Sequence, residues 1–306
     1  NLATMLWEFP TDLQTPQQDL LQSYQLFKEA YKAVKDLAQD SLITKEVTMT
    51  VADKYATFLT NCPPQTFSEF SFVFQLYEEA YTHAQTFSAQ MPKYSRELAE
   101  IQFHWAQSLA ILPCSATSNK LARQRRKDLL EAALHIWKKK PFLKPYYLAL
   151  KGETLLALAQ LLMEEITEAA EDHLWRKIET LYNESLSIYE PLSHWNAHYL
   201  IPYTKVYSYK VLFNLSEQNI KASSIVNKLK RDLQKLLEHL IQVPHVSFET
   251  TFVHALACYA YAQLLQTQSS KDIKTFINQA KDLLEPIHPF YYPAALLLKN
   301  IKSQHS

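Results

Sequence analysis

Histidine–carboxylate pairs are the residues of this 306-residue chain whose types and spacing could do chemistry. Glu79 and His83, Glu100 and His104, and Glu131 and His135 each stand four residues apart. On a helix that interval puts both side chains on one face. A carboxylate beside an imidazole can orient a general base or help ligate a metal. A di-iron bundle, however, uses Glu-x-x-His, one residue shorter, with further carboxylates facing inward. The three pairs are therefore expected to be surface contacts worth about 0.3 kcal/mol each. His194 and His198 share the four-residue interval near Glu190. Pro191 and Pro202 bracket them, so a corner between helices is expected there, and no His-Glu-x-x-His motif accompanies them. Glu164, Glu165, Glu168, Glu171 and Asp172 crowd one stretch. They read either as a grip on a basic partner or as a solvated corner whose acids complement a helix N-terminus. Asp128, Asp172, Asp232 and Asp282 stand singly, with no Asp-Asp-x-x-Asp-like motif for Mg²⁺, and no nucleophile signature is present. No catalytic residue, metal or cofactor is expected.

Two sets of residues suit binding better. Tyr199, Tyr203 and Tyr207 recur every four residues, and His254 and Tyr261 lie in a related region further on. Tyrosine offers large area, few rotatable bonds and a polar tip, which fits either a peptide-binding groove or ordinary helix packing at a wet seam. The second set is the segment 120–144, with nine cations against only Asp128 and Glu131. Lys138, Lys139 and Lys140 fall where a helix C-terminus favours cations. Arg123, Arg126, Lys139 and Lys140 could also steer an acidic partner, with Trp137 and Phe142 as aromatic anchors beside them.

The elements that must carry these residues are set by a shortage. The chain holds one glycine, Gly152, where average usage of about 7% would supply roughly twenty. Glycine provides the positive-φ positions of tight hairpins and phosphate-cradling loops. A β-rich fold, a dinucleotide loop and a P-loop are therefore excluded in practice. Basic and acidic residues balance at 31 each, unlike a general nucleic-acid binder. Hydrophobic residues make up 47%, enough for a packed core. No apolar run reaches the about 20 residues of a membrane span. Cys62, Cys114 and Cys258 are odd in number and far apart, which argues against disulfides and zinc and for a reducing, cytoplasmic setting. The sequence opens at Asn1 without a methionine and so carries no information on any targeting segment ahead of it.

Periodicity points to helices. Tyr94, Leu98, Ile101, Trp105, Leu109 and Leu112 recur at steps of three and four up to Pro113. Prolines then mark a repeat. The blocks Pro141-Phe142-x-x-Pro145 and Pro289-Phe290-x-x-Pro293, each followed by a Leu-x-Leu-Lys run, lie 148 residues apart. Pro92, Pro191 and Pro244 extend the series at gaps of 45 to 53, so the 148 residues are three periods of about 49. Five helix pairs are expected: 48–61 with 66–90, 94–112 with 120–140, 145–165 with 170–190, 202–216 with 221–242, and 247–266 with 270–286. Helix 16–38 precedes them and helix 293–303 follows. Pro145, Pro202 and Pro293 are expected to open helices.

The two-helix unit, the aromatic and alanine-rich faces (Trp105-Ala106 with Ala132-Ala133; Phe252 to Ala260 with the helix ending at Pro286) and the terminal prolines resemble tetratricopeptide-type helical repeats. That family's period is 34, so the resemblance is one of architecture over about residues 45–290. It implies an all-α, right-handed superhelical array of about five antiparallel pairs. A single domain is expected, with residues 1–45 and 291–306 capping the repeats at 46–290. It further implies a non-enzymatic scaffold, adaptor or chaperone that holds a protein, peptide or helix in a concave groove. Two alternatives stand beside it: an all-α enzyme using carboxylate or metal chemistry, and a binder of an acidic or nucleic-acid ligand through segment 120–144.

Overall fold

The computed structural model describes residues 2–12, 16–37, 41–62, 67–111, 116–139, 144–166, 172–193, 197–216, 223–245, 247–267 and 272–304. Among these residues the secondary structure is entirely helical. The helices are α1 (Leu2–Glu8), α2 (Gln17–Asp36), α3 (Leu42–Asn61), α4 (Phe67–Gln90), α5 (Ser95–Ile111), α6 (Ala116–Lys139) and α7 (Pro145–Glu164). They continue as α8 (Asp172–Ser193), α9 (Ala197–Ser216), α10 (Ser223–Leu240), α11 (Phe248–Gln266), α12 (Ile273–Leu284) and α13 (Tyr292–Gln304). The chain divides into two compact units, residues 1–158 with 290–292, and residues 159–289 with 293–306.

Local chemistry explains several helix starts. Ser41 caps α3 by accepting the Thr44 N–H at 3.0 Å, and Ser247 caps α11 by accepting the Thr250 N–H at 3.2 Å. Pro145 is the first residue of α7, where its missing N–H costs nothing. Pro92 opens a short 3₁₀ turn, Pro92–Tyr94, that leads into α5. Pro202 departs from expectation: it is the sixth residue of α9, and Pro191 lies in the last turn of α8. The helices thus run closer to the corner than the prolines suggest, and each proline forfeits the hydrogen bond to the residue four back and crowds that carbonyl.

In the first unit each helix packs on the next from α1 to α6, and α3 also meets α5 across the intervening helix. The α2–α3 seam is aromatic: Phe27 stacks on Tyr55 at 5.7 Å and meets Phe58 at 5.3 Å. Burying such rings contributes about 1.5–3 kcal/mol apiece. One seam further on, Tyr77 stacks on Trp105 at 6.4 Å. In the second unit α9 packs more extensively on α8 and α11 than on α10, its expected pair partner. Sixteen of the nineteen residues of α11 are buried, including Ala255, Ala257, Ala260 and Ala262. These small side chains let α9, α10 and α12 approach from several sides, so α11 is the core of its unit. No described helix is long and apolar enough to cross a membrane.

Candidate functional site

The first unit holds a cluster of ionisable residues drawn from α3, α5 and α7. Asp53 and Lys54 are neighbours on α3, and Glu100 and His104 lie one turn apart on α5. Lys54 Nζ donates to Glu100 Oε1 at 2.8 Å, and the hydroxyl of Tyr146, at the start of α7, donates to the same oxygen at 2.5 Å. Successive members of this trio are 46 positions apart, close to the repeat period read from the prolines. Beside them the His104 ring sits with Nδ1 at 2.9 and 3.1 Å from the two Asp53 carboxylate oxygens. The pair is 5% exposed on the aspartate side and 11% on the histidine side.

Electrostatics here is mutual compensation. Burial alone would raise the Asp53 carboxyl, but His104 and Lys54 outweigh it and hold Asp53 below its ordinary range. Burial would likewise lower Lys54, yet Asp53 and Glu100 keep its ammonium protonated well above the usual lysine value. Tyr146 is pushed up by burial and by the Glu100 charge. Asp53, Glu100 and His104 bring one donor atom each within 4.8 Å of one another, a geometry that can hold a divalent ion. Lys54, at 2.8 Å from Glu100 and 3.7 Å from Asp53, takes the place of that ion. The donor set is therefore neutralised by the chain's own cation and does not fit a metal centre.

Similar links recur at similar intervals. Lys35 on α2 meets Glu79 on α4 at 2.5 Å, 44 residues on, and Tyr31 donates to the same carboxylate at 2.6 Å. In the second unit Lys205 on α9 donates to Glu249 on α11 at 2.7 Å, again 44 residues on. Two of the three expected surface pairs are thus corrected. Glu79 and Glu100 serve other helices and His104 turns to Asp53, whereas Glu131 and His135 are both exposed, as expected of surface residues. Asp53 and Lys54 escaped sequence reading because their partners lie 51 and 46 residues away. The repeat interval was the only signal that could have found them.

The tyrosine–histidine set is placed mostly inside its unit. Tyr207 is buried and donates to Asp232 Oδ2 at 3.2 Å. Tyr261 is buried with its ring edge-on to Phe276 at 4.7 Å. His254 is buried against His245, their ring nitrogens 2.8 Å apart, and burial pushes it down to about 4. Tyr203 stacks on Tyr207 at 6.2 Å; it and Tyr199 are half-buried, and they alone of the set keep surface that a partner could meet.

The basic segment is divided. On α6, Lys120, Arg123, Lys138 and Lys139 are exposed, whereas Arg126 is 4% and Trp137 1% exposed. Trp137 packs on Tyr147 at 5.7 Å and is not available as an anchor. Arg125 lays its guanidinium over Trp105 at 4.7 Å and Tyr81 at 5.5 Å, fastening α6 to α5 and α4. Leu121, not singled out from sequence, is 74% exposed in the first half of α6, near Lys120 and Arg123. Lys140, Phe142, His194, Glu168 and Glu171 lie outside the described residues, as does the side chain of His198. Glu164, Glu165 and Asp172 are exposed, and Asp172 opens α8, where the dipole favours an acid.

The fold and the linked seams define an all-helical protein of consecutively packed helix pairs with a helical-repeat organisation. No family model, curated protein or solved structure matches the chain.

Proposed function

We propose that this chain is a non-enzymatic, tetratricopeptide-like scaffold that docks an acidic segment of a partner protein on the exposed face of α6. One observation carries the reading: α6 exposes cations at both ends, Lys120 and Arg123 in its first half near an exposed Leu121, and Lys138 and Lys139 in its last turn. A helix surface with cations toward both ends and one exposed apolar side chain near its start is one that an acidic helix or peptide with one apolar residue complements. Chain composition sharpens the contrast, since α6 holds seven cations against Asp128 and Glu131 while the whole molecule is neutral. The self-satisfied Asp53–His104 and Lys54–Glu100 cluster supports a structural role for the buried charges.

The test is a fluorescence-anisotropy titration with a short fluorescein-labelled peptide rich in glutamate and carrying one leucine. Replacing Arg123, Lys138 and Lys139 together by glutamate should weaken binding about ten-fold or more and remove its decline between about 50 and 300 mM salt. Leu121→Ser should weaken it at every salt concentration. Equal affinity of the wild-type and charge-reversed proteins would assign the cations to solubility and defeat the reading.

A further inference from the structure

We propose that α1 is a detachable latch, and that the groove it occupies between α2 and α3 is a docking site for a partner helix patterned like α1 but bulkier. With only seven residues, α1 is far shorter than the about 12–15 needed for an isolated helix to hold in water. It is helical here because of its seat. Ala3 and Trp7, one turn apart, are its buried residues, and Trp7 meets Phe58 edge-on at 5.9 Å. Ser23 on α2 donates to the Ala3 carbonyl at 3.0 Å. The acid that follows, Glu8, is raised by burial, which the charges of Lys54 and His104 only partly offset.

That seat is poorly filled. A cleft of about 640 Å³ remains between Ala3 and Thr4 of α1 and a floor that includes Leu26, Phe27, Ala30 and Val51. Unfilled apolar space means lost contacts for every atom that lines it. Leu2 and Met5 of α1 also line the cleft, yet they remain 55% and 62% exposed, so the apolar side chains that α1 offers do not close it. A short helix with a small residue over an underfilled cleft is held weakly, and a helix with a larger side chain at the Ala3 position gains what α1 forfeits. This defines the partner's chemistry as a large apolar residue with an aromatic four positions later. Helix-in-groove recognition works through such i, i+4 anchors. The groove is separate from the α6 face and does not depend on what binds there.

The experiment uses the full chain and a fluorescein-labelled peptide of residues 2–12. While α1 is seated, the apparent affinity is reduced by the fraction of molecules whose groove is open. Trp7→Ala in the chain should therefore raise affinity for the wild-type peptide by about 10-fold or more. Glu8→Lys in the chain, a surface change that leaves the core intact, should raise it about 3-fold through repulsion from Lys54. The peptide carrying Trp7→Ala should lose binding, and the one carrying Ala3→Leu should bind about 3-fold more tightly than wild type. Equal peptide affinity for the wild-type, Trp7→Ala and Glu8→Lys chains would overturn the proposal. So would an Ala3→Leu peptide that binds no better. If light scattering shows that the chain variants dimerise, the groove takes α1 of a second copy, which also contradicts a site for another protein's helix.

Discussion

The two units solve one problem, holding successive helices together at a similar interval, with different polar chemistry. Both contain a lysine–glutamate link between helices two apart in order, Lys54–Glu100 in the first unit and Lys205–Glu249 in the second. In the first unit the link is flanked by the buried Asp53–His104 pair, so a carboxylate stabilises the inward histidine. In the second the inward histidine, His254, faces another histidine, and its Nε2 is buried without a hydrogen-bond partner. The comparison teaches that the link is shared while the burial around it differs. The first unit keeps a compensated ionic seam, and the second surrounds α11 with apolar neighbours and holds its histidine neutral.

Breaking the ionic seam should have the largest effect. Asp53→Ala leaves His104 and Lys54 without their buried carboxylate and should cost about 3 kcal/mol in urea unfolding. Lys205→Ala, whose partner Glu249 is 39% exposed, should cost under about 1 kcal/mol because solvent screens that pair. Similar losses for the two variants would erase the distinction between the units.

Acid separates the units by mechanism, with a smaller effect. The folded state lowers His254 from 6.5 to about 4. Its neutral form therefore contributes stability that is fully present above pH 6.5 and is lost as pH falls toward 4, while the unfolded chain takes up the proton. Hydrogen exchange of the α11 amides should accelerate over that window, by an amount corresponding to about 2 kcal/mol, and His254→Phe should flatten the change. Asp53 is also held below its ordinary value, so its contribution is lost only as pH falls through a lower range. Exchange in α11 that is independent of pH between 6.5 and 4 would remove His254 from this role.

Much of the helix order was legible in the sequence because long apolar stripes and proline corners are local signals. The expected 48–61 and 247–266 correspond to α3, which begins six residues earlier, and α11. Pro202 misled at one boundary, since a proline six residues inside a helix resembles one at its start. α1 went unread because seven residues carry too little periodicity, and its helicity comes from the α2–α3 groove. The ionic cluster was half legible. Glu100 and His104 stood out by spacing, but their true partners are on α3, and only folding reveals a contact between residues 51 apart. Burial was the least readable property. Tyrosines at four-residue intervals look alike on paper, yet Tyr207 and Tyr261 are buried while Tyr199 remains half-exposed.

The central claim is that buried charges hold the repeats together while the α6 surface meets the partner. The most direct measurement is the affinity of Asp53→Asn for the glutamate-rich peptide, taken where circular dichroism shows the variant folded. Affinity within about two-fold of wild type, with a lowered melting temperature, is the expected result. Loss of peptide binding with the melting temperature unchanged would contradict it, and would make the Asp53–His104 cluster the binding site.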